Sequence, residues 1–206
     1  MPSVDELLDS TQDMTAQDML RFLITEKFPG KTLVSASLRG RSVVLLQMIA
    51  KIDPSTPIVF CHAPNSHPDS QEFRAKLVSR LGLSDIRDPA EDESGPLPGD
   101  CDHSEGLWAE DLVDHRRVYA TTYLNQSLAE FDCWVSGVYH GPYSDDPAPR
   151  VIQEGRLIRI DPLGDWSQDD VRQFMKEHGL SYHPRATLPR AKPKTAAPKT
   201  VPTYHF

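Results

Sequence analysis

The chain has no apolar run near the roughly 20 residues that a membrane helix needs, and it has only three cysteines in 206 residues, Cys61, Cys101 and Cys133. The first absence excludes a helical membrane span. The second excludes a disulfide scaffold and a zinc or iron–sulfur site built from four cysteines, and it fits a reducing compartment. The opening stretch MPSVDELLDSTQDM is acidic and has no apolar h-region, which predicts no secretory signal and a cytoplasmic protein. Walker GxxxxGK[ST], GxGxxG and HExxH patterns are missing, as is a Ser–His–Asp motif. No internal repeat is visible.

What is present is a chain of one-domain length with 38% apolar and 25% charged residues. Its net charge of -8 is uneven. Five basic residues and no acidic ones follow Pro184, so the preceding 183 residues carry -13. Such a body makes a poor nucleic-acid binder, because phosphate binding needs a concentrated basic face. Residues 185–206 read as a flexible basic Pro/Lys tail, with contact to an acidic protein partner as the alternative. Residues 88–106, rich in Pro, Gly and acids, read as a loose loop inside a single domain spanning 1–184.

The ordered zones alternate between helical and strand patterns. Residues 1–14 are acidic and weakly patterned. Thr15 and Asp18 resemble a capping box ahead of a helix with Met19, Leu20, Leu23, Ile24 and Phe28 on one face, stopped by Pro29-Gly30. Strands are expected over Thr32–Ser37 and Pro57–Cys61, with a third over Asp85–Arg87. Helices over Ser42–Ile52 and Asp69–Leu81 separate them. Further on come a helix from Leu107 to about Leu128, a strand at Asp132–Ser136 and a hairpin around Glu154-Gly155. A last helix follows, capped by Ser167 and stopped by Gly179. The fold class is α/β, an open and mainly parallel sheet flanked by helices, of Rossmann-like kind.

Ligands of such sheets sit beyond the carboxyl ends of the strands. One segment there, Ser35-Ala36-Ser37-Leu38-Arg39-Gly40-Arg41-Ser42, leads from a strand into a helix. Backbone N–H groups opening that helix, with Arg39 and Arg41, suit a phosphate; the alternative is an ordinary turn capped by serines. The other, Cys61-His62-Ala63-Pro64-Asn65-Ser66-His67, offers a thiol or imidazole for catalysis, or simply a core cysteine at a strand end. Neither it nor Cys101 and His103 has metal-ligand spacing, so no metal site is expected. Cys133 beside Trp134 reads as core. His115-Arg116-Arg117 reads as an anion contact or a solvated helix face.

These residues resemble the phosphoadenylyl-sulfate and adenylyl-sulfate reductase family, part of the adenine-nucleotide alpha-hydrolase-like folds, from about Met19 to Pro184. The resemblance rests on Ser42-Val43-Val44-Leu45-Leu46 with Ile52-Asp53-Pro54, and on Pro57 to Phe60 with Pro68-Asp69-Ser70. Phe131-Asp132-Cys133-Trp134-Val135-Ser136-Gly137 and Asp161-Pro162-Leu163-Gly164-Asp165-Trp166-Ser167 extend it, followed by His183-Pro184. It implies nucleotide binding by Ser35, Ser37, Arg39, Gly40, Arg41, Ser42 and Gly137, and it implies a homodimer.

The departures fall on working positions. The family's S-x-G-x-x-S loop has Arg39 where its glycine stands. Its Leu-Asp-Thr-Gly is Cys61-His62-Ala63-Pro64. The cluster cysteines of one branch correspond to His115-Arg116, so no iron–sulfur cluster and no other cofactor are expected. The Arg-rich loop after the fourth strand is Val138-Tyr139-His140-Gly141-Pro142-Tyr143. The family's sulfur-attacking cysteine lies near its C-terminus, and no cysteine follows Cys133 here. The leading expectation is therefore a protein that binds an adenine nucleotide or sulfonucleotide without reducing it. The alternatives are an enzyme of nucleotidyl transfer or hydrolysis, with Arg39 and Arg41 stabilising charge and His62 moving protons, residual reduction through Cys61 or a partner's thiol, and an interaction protein with a closed pocket.

Overall fold

The computed structural model describes residues 2–60, 68–87, 124, 126–136 and 150–184. Helix α1 (Val4–Thr11) opens the chain, held by a capping box in which Ser3 and Glu6 bond reciprocally. That bonding lowers the Glu6 carboxyl below its ordinary range. This helix was not expected from the weak patterning of 1–14. Its one deeply buried apolar anchor, Leu7, fixes it to the core.

Helix α2 (Ala16–Phe22) starts at Thr15, whose Oγ1 accepts from the Asp18 amide at 3.2 Å, as the Thr15/Asp18 spacing predicts. It widens into a π turn at Leu23–Lys27, closed by the Phe28 amide donating to the Leu23 carbonyl at 2.8 Å. Met19, Leu20, Leu23, Ile24 and Phe28 are all buried, so the expected face survives the extra residue in the turn.

Strand β1 (Thr32–Ala36) is buried along its whole length, as a central parallel strand should be. Helix α3 (Gly40–Ile52) follows it, with Val43, Val44, Leu45 and Leu46 each fully buried. Then come β2 (Ile58–Phe60), α4 (Pro68–Leu81) and β3 (Ile86–Arg87). Pro68 opens α4, where its missing N–H and fixed φ cost nothing. A 3-10 turn at Leu128–Glu130 leads into β4 (Cys133–Ser136). Strands β5 (Val151–Glu154) and β6 (Leu157–Ile160) form the expected hairpin, turning at Gly155 with φ of 60°.

Helix α5 (Gln168–Glu177) carries a second capping box, Ser167 with Asp170, and this bonding lowers the Asp170 carboxyl. Helix α3 begins two residues before the expected Ser42, and β1 and β4 are each one residue shorter than read from the sequence.

The six strands lie in the order β3-β2-β1-β4-β6-β5, parallel except for β5, which runs antiparallel to β6. Helices α1 to α5 contribute to one core, packed on the face that carries Val34, Ala36, Ile58, Phe60, Cys133, Val135, Ile158 and Ile160. The opposite face carries Leu33 and Val59, covered by Leu124, Leu128 and Phe131. The chain leaves β1 toward β2, while β4 lies on the other flank of β1. The order of connection therefore reverses between β1 and β4, which is the crevice position of an open α/β sheet. This is the mainly parallel α/β architecture expected from the sequence. No described helix is long and apolar enough to cross a membrane.

Candidate functional site

The segment beyond β1 lies at this reversal. Its bend is set by two hydroxyls. The Ser37 amide donates to Ser42 Oγ at 3.0 Å, and the Ser37 and Ser42 hydroxyls bond each other at 3.0 Å. Ser37 Oγ also accepts from the Arg39 amide at 3.3 Å. Leu38 packs into the core between them. The loop is thereby closed on itself, and Ser42 is fully buried inside the first turn of α3.

Arg39 is the N-cap of α3, with φ of -85° and ψ of 157° and no side-chain cap bond. This is extended backbone open to any L-residue, so an arginine here costs no conformational strain. Its side chain lies on the exposed side of the turn. The opening N–H groups of a helix have no intrahelical acceptor and carry the positive end of its dipole. The 13-residue α3 presents that end here, beside a permanent cation.

Gly40 serves packing. A Cβ on it would lie 3.2 Å from Tyr182 Cε1, 3.3 Å from Met175 Sδ and 3.4 Å from Val171 Cγ1. The glycine lets α3 approach α5 and the chain beyond it. Arg41 is half-buried and reaches across to the turn before α5. Its Nη1 donates to the Trp166 carbonyl at 2.9 Å and its Nη2 to the Leu163 carbonyl.

Ser35 lies apart from these. Alternation along β1 places it on the face of Leu33, where its Oγ accepts from the Trp134 indole at 2.8 Å. Strand β4 ends beside it, Ser35 pairing with Ser136. The structure thus gathers Ser37, Arg39, Gly40, Arg41 and Ser42 into one turn and assigns Ser35 to the opposite face of the sheet. Cys61, His62, Gly137, Arg116 and Arg117 lie outside the described residues, as do Cys101, His103 and His115.

Two features near the carboxyl ends of the strands were not singled out by sequence reasoning. The Arg74 guanidinium stacks 4.7 Å from the ring centroid of Phe60, the last residue of β2. His183 is buried, its Nε2 3.0 Å from Ser70 Oγ in the first turn of α4, with the Phe73 ring edge-on at 5.2 Å. The pair pins the segment after α5 to α4. His183-Pro184 in the resemblance was the only hint of it. Among the described residues no group of three or more His, Cys, Asp or Glu side chains could hold a metal ion.

Cys133 is in the core, as the sequence suggested, and burial pushes its thiol up to about 12. Because the folded value is raised, the protonated thiol contributes stability fully below the ordinary value of 9.0, and this is lost as pH climbs toward about 12. Two results are expected. In the native protein at neutral pH, iodoacetamide leaves the Cys133 peptide unlabelled by mass spectrometry, and labels it in urea. In Cys133→Ala the alkaline fall in Tm is shallower than in the parent; an unchanged slope would contradict a buried neutral thiol.

The family model for the phosphoadenosine phosphosulfate reductase domain matches residues 31–185. Among curated proteins, the phosphoadenosine 5'-phosphosulfate reductase of Alkalilimnicola ehrlichii is 23% identical over 177 residues, covering 82% of this chain and 70% of that protein. The enzyme of the same name from Synechococcus is 26% identical over 193 residues, covering 89% and 81%. Among solved structures, the phosphoadenylyl-sulfate reductase of Candida auris, in a phosphate complex, superimposes with a TM-score of 0.63. It is 18% identical and covers 89% of this chain and 90% of that one, a likeness of fold.

Proposed function

The chain belongs to the phosphoadenosine phosphosulfate reductase family, and from that premise we propose that it binds an adenine nucleotide or sulfonucleotide at the Ser37–Ser42 turn without reducing it. The observation that carries this reading is the turn itself. Two serines close it, α3 opens from it, and Arg39 stands on its exposed side at the reversal of the sheet. An anionic group there would meet backbone N–H donors and a guanidinium together. Arg39 in place of glycine replaces close backbone approach with a side-chain contact.

The absence of reduction is read from the thiols. Attack on a sulfate sulfur needs an accessible thiolate. Cys133, the one cysteine among the described residues, is buried with its thiol held protonated. Such a protein acts as sensor, regulator or partner subunit. It uses no cofactor, works as a single unit over 1–184, and pairs as a homodimer in the manner of the family.

Calorimetric titration with phosphoadenylyl sulfate, adenylyl sulfate, ATP and phosphoadenosine phosphate tests the binding. Saturable micromolar binding of at least one is expected. No heat from any of the four would contradict the reading and favour a closed pocket with a protein partner.

A further inference from the structure

The two arginines of the turn stand two residues apart, Arg39 exposed and Arg41 half-buried against the turn before α5. We propose that Arg41 is a positioning residue, a strut that locks the first turn of α3 to the Asp161–Ser167 turn, and that Arg39 supplies the charge that meets the ligand. The proposal rests on the binding reading above for its second half only.

The geometry supports the division. Arg41 reaches across more than a hundred residues, and each of its two terminal nitrogens donates to a main-chain carbonyl, those of Trp166 and Leu163. The Leu163 carbonyl also accepts from the Trp166 amide at 3.0 Å, and the Gly164 amide donates to the Asp161 carbonyl at 3.0 Å, so the strut ends on a turn that is already closed. That turn is anchored in its own right. Leu163 is buried, Trp166 meets Phe174 edge-on at 5.7 Å, and Ser167 caps α5.

At the other end, Arg41 immediately precedes Ser42, whose hydroxyl holds Ser37. A planar fork between two carbonyls fixes orientation as well as distance. A lysine ammonium on a flexible stem cannot reproduce it. Gly40 complements the strut by letting α3 close on Val171, Met175 and Tyr182. Arg39, two residues earlier, is exposed on the turn.

The first test uses the ligand-free protein. Hydrogen exchange of amides 37–43 is expected to quicken tenfold or more in Arg41→Ala. It should stay unchanged in Arg156→Ala, which removes a guanidinium that grips the Phe131 and Leu128 carbonyls elsewhere. Unchanged exchange at 37–43 in a folded Arg41→Ala overturns the strut, even if its Tm is lower.

The second test titrates phosphoadenosine phosphate at several salt concentrations. Arg41→Ala and Arg41→Lys should both weaken binding about tenfold with the parent's salt dependence, whereas Arg39→Ala should make that dependence shallower. Retained affinity in Arg41→Lys, or a shallower dependence in Arg41→Ala, would mean that Arg41 touches the ligand, and the division would fail. Loosened amides in a protein whose parent binds none of the nucleotides would leave the strut standing and remove the nucleotide reading.

Discussion

Replacing Arg39 with alanine is expected to weaken nucleotide binding tenfold to a hundredfold while leaving Tm almost where it was. A charge-assisted hydrogen bond to an anion contributes roughly 1.5–3 kcal/mol, and each 1.4 kcal/mol is about a factor of ten. The side chain is exposed, where a polar contact adds little to stability, and the backbone at φ of -85° suits alanine as well as arginine. Arg39→Lys should recover part of the affinity, because a point charge still meets a phosphate without the bidentate fork. Arg39→Gly, which restores the residue of the family pattern, separates two roles. If arginine occludes the turn, affinity rises; if arginine is the contact, it falls as in alanine. Titration calorimetry beside thermal melting reads all three variants, and an Arg39→Ala protein with undiminished affinity would refute the assignment.

Leu45→Ala is expected to give the largest loss of stability, about 3 kcal/mol, within the 2–5 kcal/mol typical of buried leucines. Leu45 is fully buried in the main core, and its neighbours Val44 and Leu46 are buried too, so α3 has no wet side along that turn. Close packing on every side leaves a cavity that cannot collapse readily. For a protein of this size that loss lowers Tm by roughly 6–12 °C. Urea unfolding should show a lower midpoint with the same slope. A drop below ~1 kcal/mol would mean that α3 is less tightly held than its burial says, and the rigidity of the turn it opens would be in question.

Much of the architecture was legible because periodicity and punctuation agreed. Thr15 and Ser167 mark helix starts, Gly155 and Gly179 mark stops with φ of 60°, and the buried runs of β1 and β2 read as parallel strands. The first helix escaped because its signal is local and small. A Ser3/Glu6 capping box precedes only one deeply buried apolar residue, and packing against the rest of the fold supplies the remainder. The π turn after α2 leaves no mark in sequence, since one inserted residue changes the hydrogen-bond partner without changing the apolar face.

The candidate site was legible as a segment and not as a division of roles. Ser37 and Ser42 at either end of a strand-to-helix turn announce hydroxyls that can close it, and they do. Nothing in a string of residues says that Arg41 turns back to carbonyls of a turn more than a hundred positions away, because main-chain acceptors carry no side-chain signature. Ser35 could be placed by strand alternation alone, since it shares the parity of Leu33. The Trp134 indole it accepts from lies one strand over, a contact fixed by register.

The most direct measurement incubates the purified protein with phosphoadenylyl sulfate and an excess of a dithiol reductant, and follows bound nucleotide and released sulfite in the same sample. Bound nucleotide with sulfite no higher than in the protein-free control is the expected result. Sulfite formed over many turnovers would contradict it and would direct attention to Cys61.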